Sequence, residues 1–180
     1  MITILLGAGF EEMEAVAPCD LLRRAGLEVR FCGIGGTEIT GSHGIVIRAE
    51  DTLETLDYEK MEMLVVPGGL RGVKTIRESE AALNLIRRTA ADGRYLAAIC
   101  AAPTILAELG LLAGKRATCY PDMQDRLGSD VAQNDSVVFA DRIITARAAG
   151  SAYDFGLALI RVLKDSETAE KIAKGIVYHR

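Results

Sequence analysis

The stretch YLAAICAAPTILAELGLL, residues 95–112, decides the fold, because an apolar run ends at Cys100 and helical periodicity begins immediately after it. This pattern predicts a strand that delivers a thiol into the first turn of a helix. In hydrolases with a nucleophile elbow, the residues two positions either side of the nucleophile are too small to clash. Ala98 and Ala102 hold those positions, and Pro103 fits an early helical position that needs no N–H. The stretch therefore predicts a cysteine nucleophile elbow.

A thiol at this elbow would face the unpaired N–H groups at the start of the helix. These groups and the helix dipole favour a thiolate, so we expect the pKa of Cys100 to be lowered. The alternative is a buried cysteine that ends an ordinary core strand, which is the better interpretation for a cysteine without small neighbours. The flanking alanines favour the nucleophile.

The composition is that of a globular protein. The 180 residues are 49% hydrophobic and 26% charged, and the formal net charge is -4. This length predicts one domain, residues 1–180, that buries its core without disulfides or metals. Nucleic acid is not expected as a partner, because the basic doublets Arg23-Arg24 and Arg87-Arg88 have no interleaved aromatic residues and resemble solvated helix faces.

The expected compartment follows from features that the sequence lacks. The first strand, ITILL, is too short for the apolar region of a signal peptide, and no stretch is long enough to span a bilayer, so no membrane partner is expected. The four cysteines form no C-x-x-C pair, and the chain has only two histidines, so a metal site is not expected. These features predict a reduced, cytoplasmic chain.

Strand-like and helix-like segments alternate along the chain. The apolar strands are ITILL, LEVRFCGI, MEMLVVPGG and the run that ends at Cys100. The helices are EEMEAVAPCDLLRR, ESEAALNLIRRTAADG, the elbow helix, SAYDFGLALIRVLKD and SETAEKIAKG. This alternation predicts parallel strands joined by right-handed crossovers, hence an α/β fold with a doubly wound, mostly parallel sheet and helices on both faces.

Three less regular segments complete the predicted sheet. GGTEITGSHGIVIRAED is interpreted as an irregular two-strand insertion at the edge of the sheet, and SVVF with RIITA as a hairpin. KRATCYPDM is interpreted as a strand that ends at Cys119-Tyr120, where Pro121 terminates it.

Ligands of such sheets bind beyond the carboxyl ends of the strands. Three loops of unusual composition leave such ends: GAGFEEME, PGG and the elbow at Cys100. The first resembles a dinucleotide loop, but G-x-G-x-x-G requires glycine at position 12, where Glu12 stands beside Glu11. Two carboxylates at a helix start repel phosphate, so a nucleotide cofactor is disfavoured.

Five segments taken together carry a family resemblance: EEMEAVAPCDLLRRAG, VVPGG, AAICAAP, TCYP and ARAAGSAYDFGLALI. Nearly the whole chain resembles the ThiJ/PfpI superfamily, and within it the parkinsonism-associated deglycase branch and the bacterial YajL type. The resemblance implies a flavodoxin-like fold, a homodimer and no cofactor. It also implies that Cys100 is a nucleophilic, oxidisable thiol hydrogen-bonded to Glu14. The backbone N–H groups of Gly68, Gly69 and Ala101 are implied to form an oxyanion-binding corner.

One position departs from the deglycase pattern. Tyr120 in TCYP stands where that branch commonly has histidine, and since its ordinary pKa is about 10 it is predicted to be a pocket wall and not a base. The protease-like and amidotransferase-like branches place histidine after the cysteine, where this chain has Ala101, so a proteolytic triad is not expected. Arg24 and His43 remain possible members of the site, although His43 and His179 are interpreted as solvated.

The predicted chemistry rests on the pair formed by Cys100 and Glu14. A thiolate repels a neighbouring carboxylate, so the pair is expected to share one proton near neutrality. Such a pair can add sulfur to methylglyoxal or another α-oxoaldehyde and then move a proton between the two carbons. The sequence therefore predicts glyoxalase or protein deglycase chemistry on a small aldehyde or glycated substrate. The alternative is a non-enzymatic redox-responsive or chaperone-like protein whose Cys100 is oxidised.

Overall fold

The computed structural model describes residues 1–128, 130–131 and 134–179. Within them the strands are β1 (Ile2–Leu6), β2 (Val29–Gly33), β3 (Glu38–Thr40), β4 (Val46–Arg48), β5 (Asp51–Thr52), β6 (Met63–Val66), β7 (Tyr95–Ile99), β8 (Arg116–Ala117), β9 (Asp130–Val131), β10 (Val137–Ala140) and β11 (Ile143–Ala146). The helices are α1 (Glu12–Arg24), α2 (Leu70–Glu78), α3 (Glu80–Ala91), α4 (Pro103–Glu108), α5 (Ala152–Leu163) and α6 (Ser166–Gly175).

The central sheet has seven strands in the order β10-β11-β7-β6-β1-β2-β5. Its neighbours are parallel, except that β10 and β11 form the predicted antiparallel hairpin. Because β1 pairs with β2 on one side and with β6 on the other, the strand order reverses at β1. The loops after β1 and β6 therefore leave the sheet side by side at the point where doubly wound proteins bind ligands. The predicted flavodoxin-like α/β fold is confirmed.

Two hydrophobic cores lie on opposite faces of the sheet, because successive side chains of a strand point to opposite faces. In β1, Ile4 packs into the core beneath α1 and α5, and Leu5 packs into the core beneath α2, α3 and α4. Helices α1 and α5 pack closely, because a Cβ atom on Gly156 of α5 would lie 2.6 Å from Cδ1 of Leu21 of α1. Cys100 follows β7 and contacts both cores. Among the described residues, no helix has the length and apolar character needed to cross a membrane.

Several local predictions are corrected by the structure. Residues 70–78 form α2, which was not predicted, and the elbow helix α4 has only six residues. The strand expected to end at Cys119-Tyr120 is reduced to β8, which pairs with β9 in a separate two-stranded sheet. The predicted edge insertion likewise forms its own sheet of β3 and β4, while β5 takes the edge of the main sheet.

Candidate active site

The backbone at Cys100 has an uncommon conformation. Its φ angle is 63°, which few residues other than glycine adopt. The N–H of Cys100 donates to the carbonyl of Ala146 at 3.0 Å, and its carbonyl accepts from the N–H of Tyr120 at 2.8 Å. Both backbone groups are thus bound by neighbouring segments, and these contacts stabilise the turn despite its strain. The turn places the thiol just beyond the carboxyl end of β7.

Glu14 lies beneath the thiol and is fully buried in the first turn of α1. Its Oε2 accepts from the N–H of Gly68 at 2.8 Å, so this N–H, which was expected in the oxyanion-binding corner, is used by Glu14 instead. Its Oε1 has no partner at ordinary hydrogen-bonding geometry, yet the carboxyl and the thiol of Cys100 are close enough for each to shift the pKa of the other. A Cβ atom on Gly68 would lie 2.6 Å from Oε2 of Glu14 and 2.7 Å from Cβ of Cys100. Only glycine fits between the acid and the thiol.

Burial controls the protonation of this pair. It raises the pKa of Glu14 to about 7, although the thiol of Cys100 and the N–H of Gly68 favour the charged form. Burial and the charge of Glu14 raise the pKa of Cys100 to about 12, although the N–H groups of Ala101 and Gly69 favour the thiolate. The expectation of a lowered thiol pKa is therefore wrong, because burial and the carboxylate outweigh the N–H groups at the start of a short helix. A proton shared near neutrality is consistent with the raised pKa of Glu14.

The thiol opens into a cavity of about 490 Å³. Its wall consists of Glu11, Gly69, Leu70, Cys100, Ala101, Tyr120, Asp122, Met123 and Arg126. The cavity therefore brings together the thiol, the two residues whose N–H groups face the sulfur, and Tyr120. Tyr120 lies in the wall, where it was predicted, and 42% of its surface is exposed.

Five residues of this wall were not predicted as site residues: Glu11, Leu70, Asp122, Met123 and Arg126. Glu11 belongs to the loop GAGFEEME at the carboxyl end of a strand, where ligands bind, so the sequence already indicated that it could lie near the site. The last three lie in a 3-10 helix at Pro121–Arg126, which no periodic pattern marks.

The two residues considered as possible members, Arg24 and His43, do not line the cavity. Arg24 forms an ion pair with Asp20 in which Nε and Oδ2 are 2.6 Å apart and both side chains are half exposed. His43 lies between β3 and β4 with its Nδ1 3.0 Å from Oε2 of Glu12 and 3.6 Å from Oε2 of Glu11. Among the described residues, Glu11 is the cavity residue that links His43 to the site.

Glu12 fastens the segment between β3 and β4 to the start of α1. Its Oε1 accepts from the N–H of His43 at 2.7 Å, and its Oε2 accepts from Oγ of Ser42 at 3.1 Å. Burial raises the pKa of Glu12, but the hydrogen bonds from His43 and Ser42 outweigh it and lower the pKa to about 2. These bonds hold the carboxylate in its ionised form.

Glu11, Glu12 and His43 also bring three potential metal-ligand atoms within 4.8 Å of one another, the one such group in the part of the chain that the structure describes. The oxygens of Glu12 are already used by the hydrogen bonds of Ser42 and His43. We interpret the group as a hydrogen-bonded cluster, and the absence of a metal remains a prediction.

A comparison of the whole chain with known proteins identifies its family. The model of the DJ-1/PfpI family matches residues 1–162. The chain belongs to the DJ-1/PfpI family. The resemblance inferred from the sequence motifs is therefore confirmed.

Three members of the DJ-1/PfpI family illustrate how far the similarity extends. Protein dj-1beta of Drosophila melanogaster is 37% identical over 177 residues, which are 97% of this chain and 95% of that protein. The crystal structure of Drosophila melanogaster DJ-1beta matches with a TM-score of 0.94 at 35% identity and covers 99% of this chain and 98% of its own. An oxidised DJ-1 of Toxoplasma gondii matches with a TM-score of 0.94 at 32% identity and covers the same shares. The glutathione-independent glyoxalase DJR-1.2 of Caenorhabditis elegans is 29% identical and covers 91% of this chain and 88% of its own.

Proposed function

We propose that the chain is a cofactor-free, cysteine-dependent enzyme that converts α-oxoaldehydes such as methylglyoxal, or their adducts on proteins, into hydroxy acids. The observation that carries the proposal is the contact between Cys100 and a buried Glu14 whose pKa is about 7, beside a cavity of suitable size. Glu14 is thus partly ionised at neutral pH and can accept the thiol proton. The glyoxalase relative from Caenorhabditis elegans supports this choice of substrate.

In the first step, the sulfur of Cys100 adds to the aldehyde carbon while Glu14 takes the proton of the thiol. An S–C bond forms, and the π electrons of the carbonyl move to its oxygen. The N–H groups of Gly69 and Ala101, which already face the sulfur, lie where they can donate to this oxygen. Glu14 then protonates the oxygen, which completes a hemithioacetal and leaves Glu14 ionised again.

In the second step, Glu14 removes the hydrogen of the hemithioacetal carbon as a proton and returns it to the neighbouring carbon, while the hydroxyl proton of the first carbon moves to the oxygen of the second. The former aldehyde carbon is oxidised to a thioester, and its neighbour is reduced to an alcohol. Because one carbon gains the electrons that the other loses, no external oxidant or cofactor is needed. Water then releases the hydroxy acid and restores the thiol.

Lactate production from methylglyoxal tests the proposal. The wild-type protein is expected to make many equivalents of lactate, and Cys100→Ser none, because a serine hydroxyl is not acidic enough to replace the thiol. Glu14→Gln is expected to lower the rate by about 100-fold or more. Glu170→Gln is the matched control, because it makes the same substitution at an exposed position of α6. A wild-type protein that makes no lactate, or a Cys100→Ser variant that still makes it, would contradict the proposal.

A redox-responsive or chaperone-like role is the second candidate. The N–H groups of Gly69 and Ala101 favour it, because they face the sulfur and could bind the oxygens of a sulfinate there. The structure of an oxidised relative from Toxoplasma gondii adds support. Turnover separates the two candidates, since an enzyme consumes many equivalents of aldehyde, whereas a sensor forms one adduct or one oxidised thiol per chain.

We also propose that the chain forms a homodimer through an apolar surface built from α1, the start of α5 and the residue before β4. Met13, Val16, Ile45 and Tyr153 are each between 44% and 57% exposed and line one groove. Exposed apolar patches of this kind mark interaction sites, and a second copy is the occupant that the family resemblance implies. Val16→Glu should therefore shift the protein from dimer to monomer in analytical ultracentrifugation. A wild-type protein that sediments as a monomer, or a variant that remains dimeric, would contradict this assignment.

A further inference from the structure

The release of the hydroxy acid requires a base that can reach water. This requirement rests on the proposed function, in which water attacks a thioester on Cys100. Glu14 is buried beneath the sulfur, where it can reach the atoms next to the S–C bond, but it does not line the cavity from which water attacks. Tyr120 is predicted to be a wall of the pocket and not a base. Among the described residues, the carboxylates that do line the cavity are Glu11 and Asp122. The hydrolytic base should therefore be one of these two.

The main chain of Glu11 packs directly against the two glycines of the site. Its N–H donates to the carbonyl of Gly68 at 3.1 Å, and its nitrogen lies 2.7 Å from the position that a Cβ atom on Gly69 would occupy. Gly68 holds Glu14, and the N–H of Gly69 faces the sulfur of Cys100. The main chain of Glu11 is therefore fixed against the two glycines that contact Glu14 and Cys100.

The side chain of Glu11 is held in place as well. Its Oε2 lies 3.0 Å from Oγ of Ser42, whose one hydroxyl proton is shared between Glu11 and Glu12, and 3.6 Å from Nδ1 of His43. Only 17% of the Glu11 side chain is exposed. Asp122, by contrast, is exposed on a 3-10 turn and makes no hydrogen bond or ion pair with the residues that the structure describes. A base must be held in position to be effective, so the geometry favours Glu11.

We propose that Glu11 is the general base that activates water for release of the acyl group from Cys100, with Ser42 and His43 as its positioning residues. Glu11 removes a proton from water as the water oxygen bonds to the thioester carbon. The carbonyl electrons move to oxygen and return as the C–S bond breaks. The thiolate that leaves takes the proton from Glu11 by way of solvent in the cavity, so the products are the hydroxy acid and the free thiol.

The test compares formation and release of the acyl-enzyme in Glu11→Gln. Because the charge of Glu11 raises the pKa of Glu14, proteins are mixed with methylglyoxal at about pH 8, where Glu14 is mostly ionised with or without Glu11. Samples are desalted quickly and weighed intact by mass spectrometry. A hemithioacetal and a lactoyl thioester have the same mass, so hydroxylamine is then added, which converts only the thioester into a hydroxamate.

We expect Glu11→Gln to form the thioester at the wild-type rate and to release lactate about 100-fold more slowly, so that the thioester accumulates. Ser42→Ala, which removes the hydrogen bond to Glu11, should accumulate it to a smaller extent and covers the case in which Glu11→Gln does not fold. Asp122→Asn should accumulate none, and Glu170→Gln is the control for charge.

The results separate the two proposals. A wild-type protein that forms neither lactate nor a thioester overturns the proposed function and the role of Glu11 together. Wild-type turnover with no accumulation in Glu11→Gln or in Ser42→Ala overturns the role of Glu11 alone. Accumulation in Asp122→Asn transfers the role to Asp122.

Discussion

Replacing Glu14 by glutamine should change the pH dependence of the stability of the protein. Folding raises the pKa of this carboxyl from 4.5 to about 7, mainly through burial. Between these two values the folded chain keeps a proton that the unfolded chain has lost, so the free energy of unfolding falls as the pH rises. The stabilisation is fully present below pH 4.5 and is lost as the pH passes through 7. Because Glu14 is fully buried, solvent does not screen it, and the full shift of its pKa contributes to stability. The shift corresponds to about 3 kcal/mol in the free energy of unfolding.

Urea unfolding of the wild-type protein and Glu14→Gln at intervals from about pH 4.5 to 8 measures this effect. The wild-type protein should lose about 3 kcal/mol more than the variant across this range, a large part of the 5–15 kcal/mol that is typical of a domain. Titrating groups that are unaffected by the substitution cancel in the difference, and Cys100, with its pKa near 12, stays protonated throughout. Two curves that run parallel would show that Glu14 titrates normally, which would remove the basis of the proposed dyad.

Three further predictions follow from the same site. Gly68→Ala should destabilise the protein by about 1–3 kcal/mol and reduce lactate production, because the added Cβ atom would clash with both Glu14 and Cys100. Gly150→Ala is the control, since a Cβ atom there meets nothing within 4 Å, and equal effects of the two substitutions would contradict the reasoning. Mild peroxide should oxidise Cys100 before the other three cysteines, which are buried, and peptide mass spectrometry showing an even spread would refute this. Tyr120→Phe should leave the rate of lactate production within a few-fold of wild type, and a loss as large as that of Cys100→Ser would show that the hydroxyl takes part.

The sequence was sufficient to predict the fold and the elbow, but it gave no sign of α2. Long apolar strands and periodic helices carry strong patterns, whereas α2 contains a glycine, which lowers helix propensity. Gly72 is required there by packing, because a Cβ atom would lie 2.7 Å from the backbone nitrogen of Phe10. This contact joins segments that are distant in sequence, so the residue that weakens the helical pattern is explained only by the folded structure.

The protonation of the site was also beyond the reach of the sequence. The helix start after Cys100 correctly indicated N–H groups near the sulfur. The N–H groups of Ala101 and Gly69 favour the thiolate, although the pKa of the thiol is raised overall. Their effect is smaller than that of burial and of Glu14, and the depth at which a side chain is buried depends on the packing of both cores. Sequence motifs indicate which groups meet at the site, whereas the balance of their effects on the two pKa values depends on how the folded chain packs around them.

Glu12 and Glu14 are two residues apart on one helix, yet the pKa of the first is lowered to about 2 and that of the second is raised to about 7. As a solution turns acidic, Glu14 is neutralised first, and the thiol loses its proton acceptor. Glu12 remains ionised and still holds His43 and Ser42, so the segment between β3 and β4 stays attached to α1. Mild acid should therefore arrest the chemistry while the surrounding scaffold stays assembled, and a return to neutral pH should restart it without refolding.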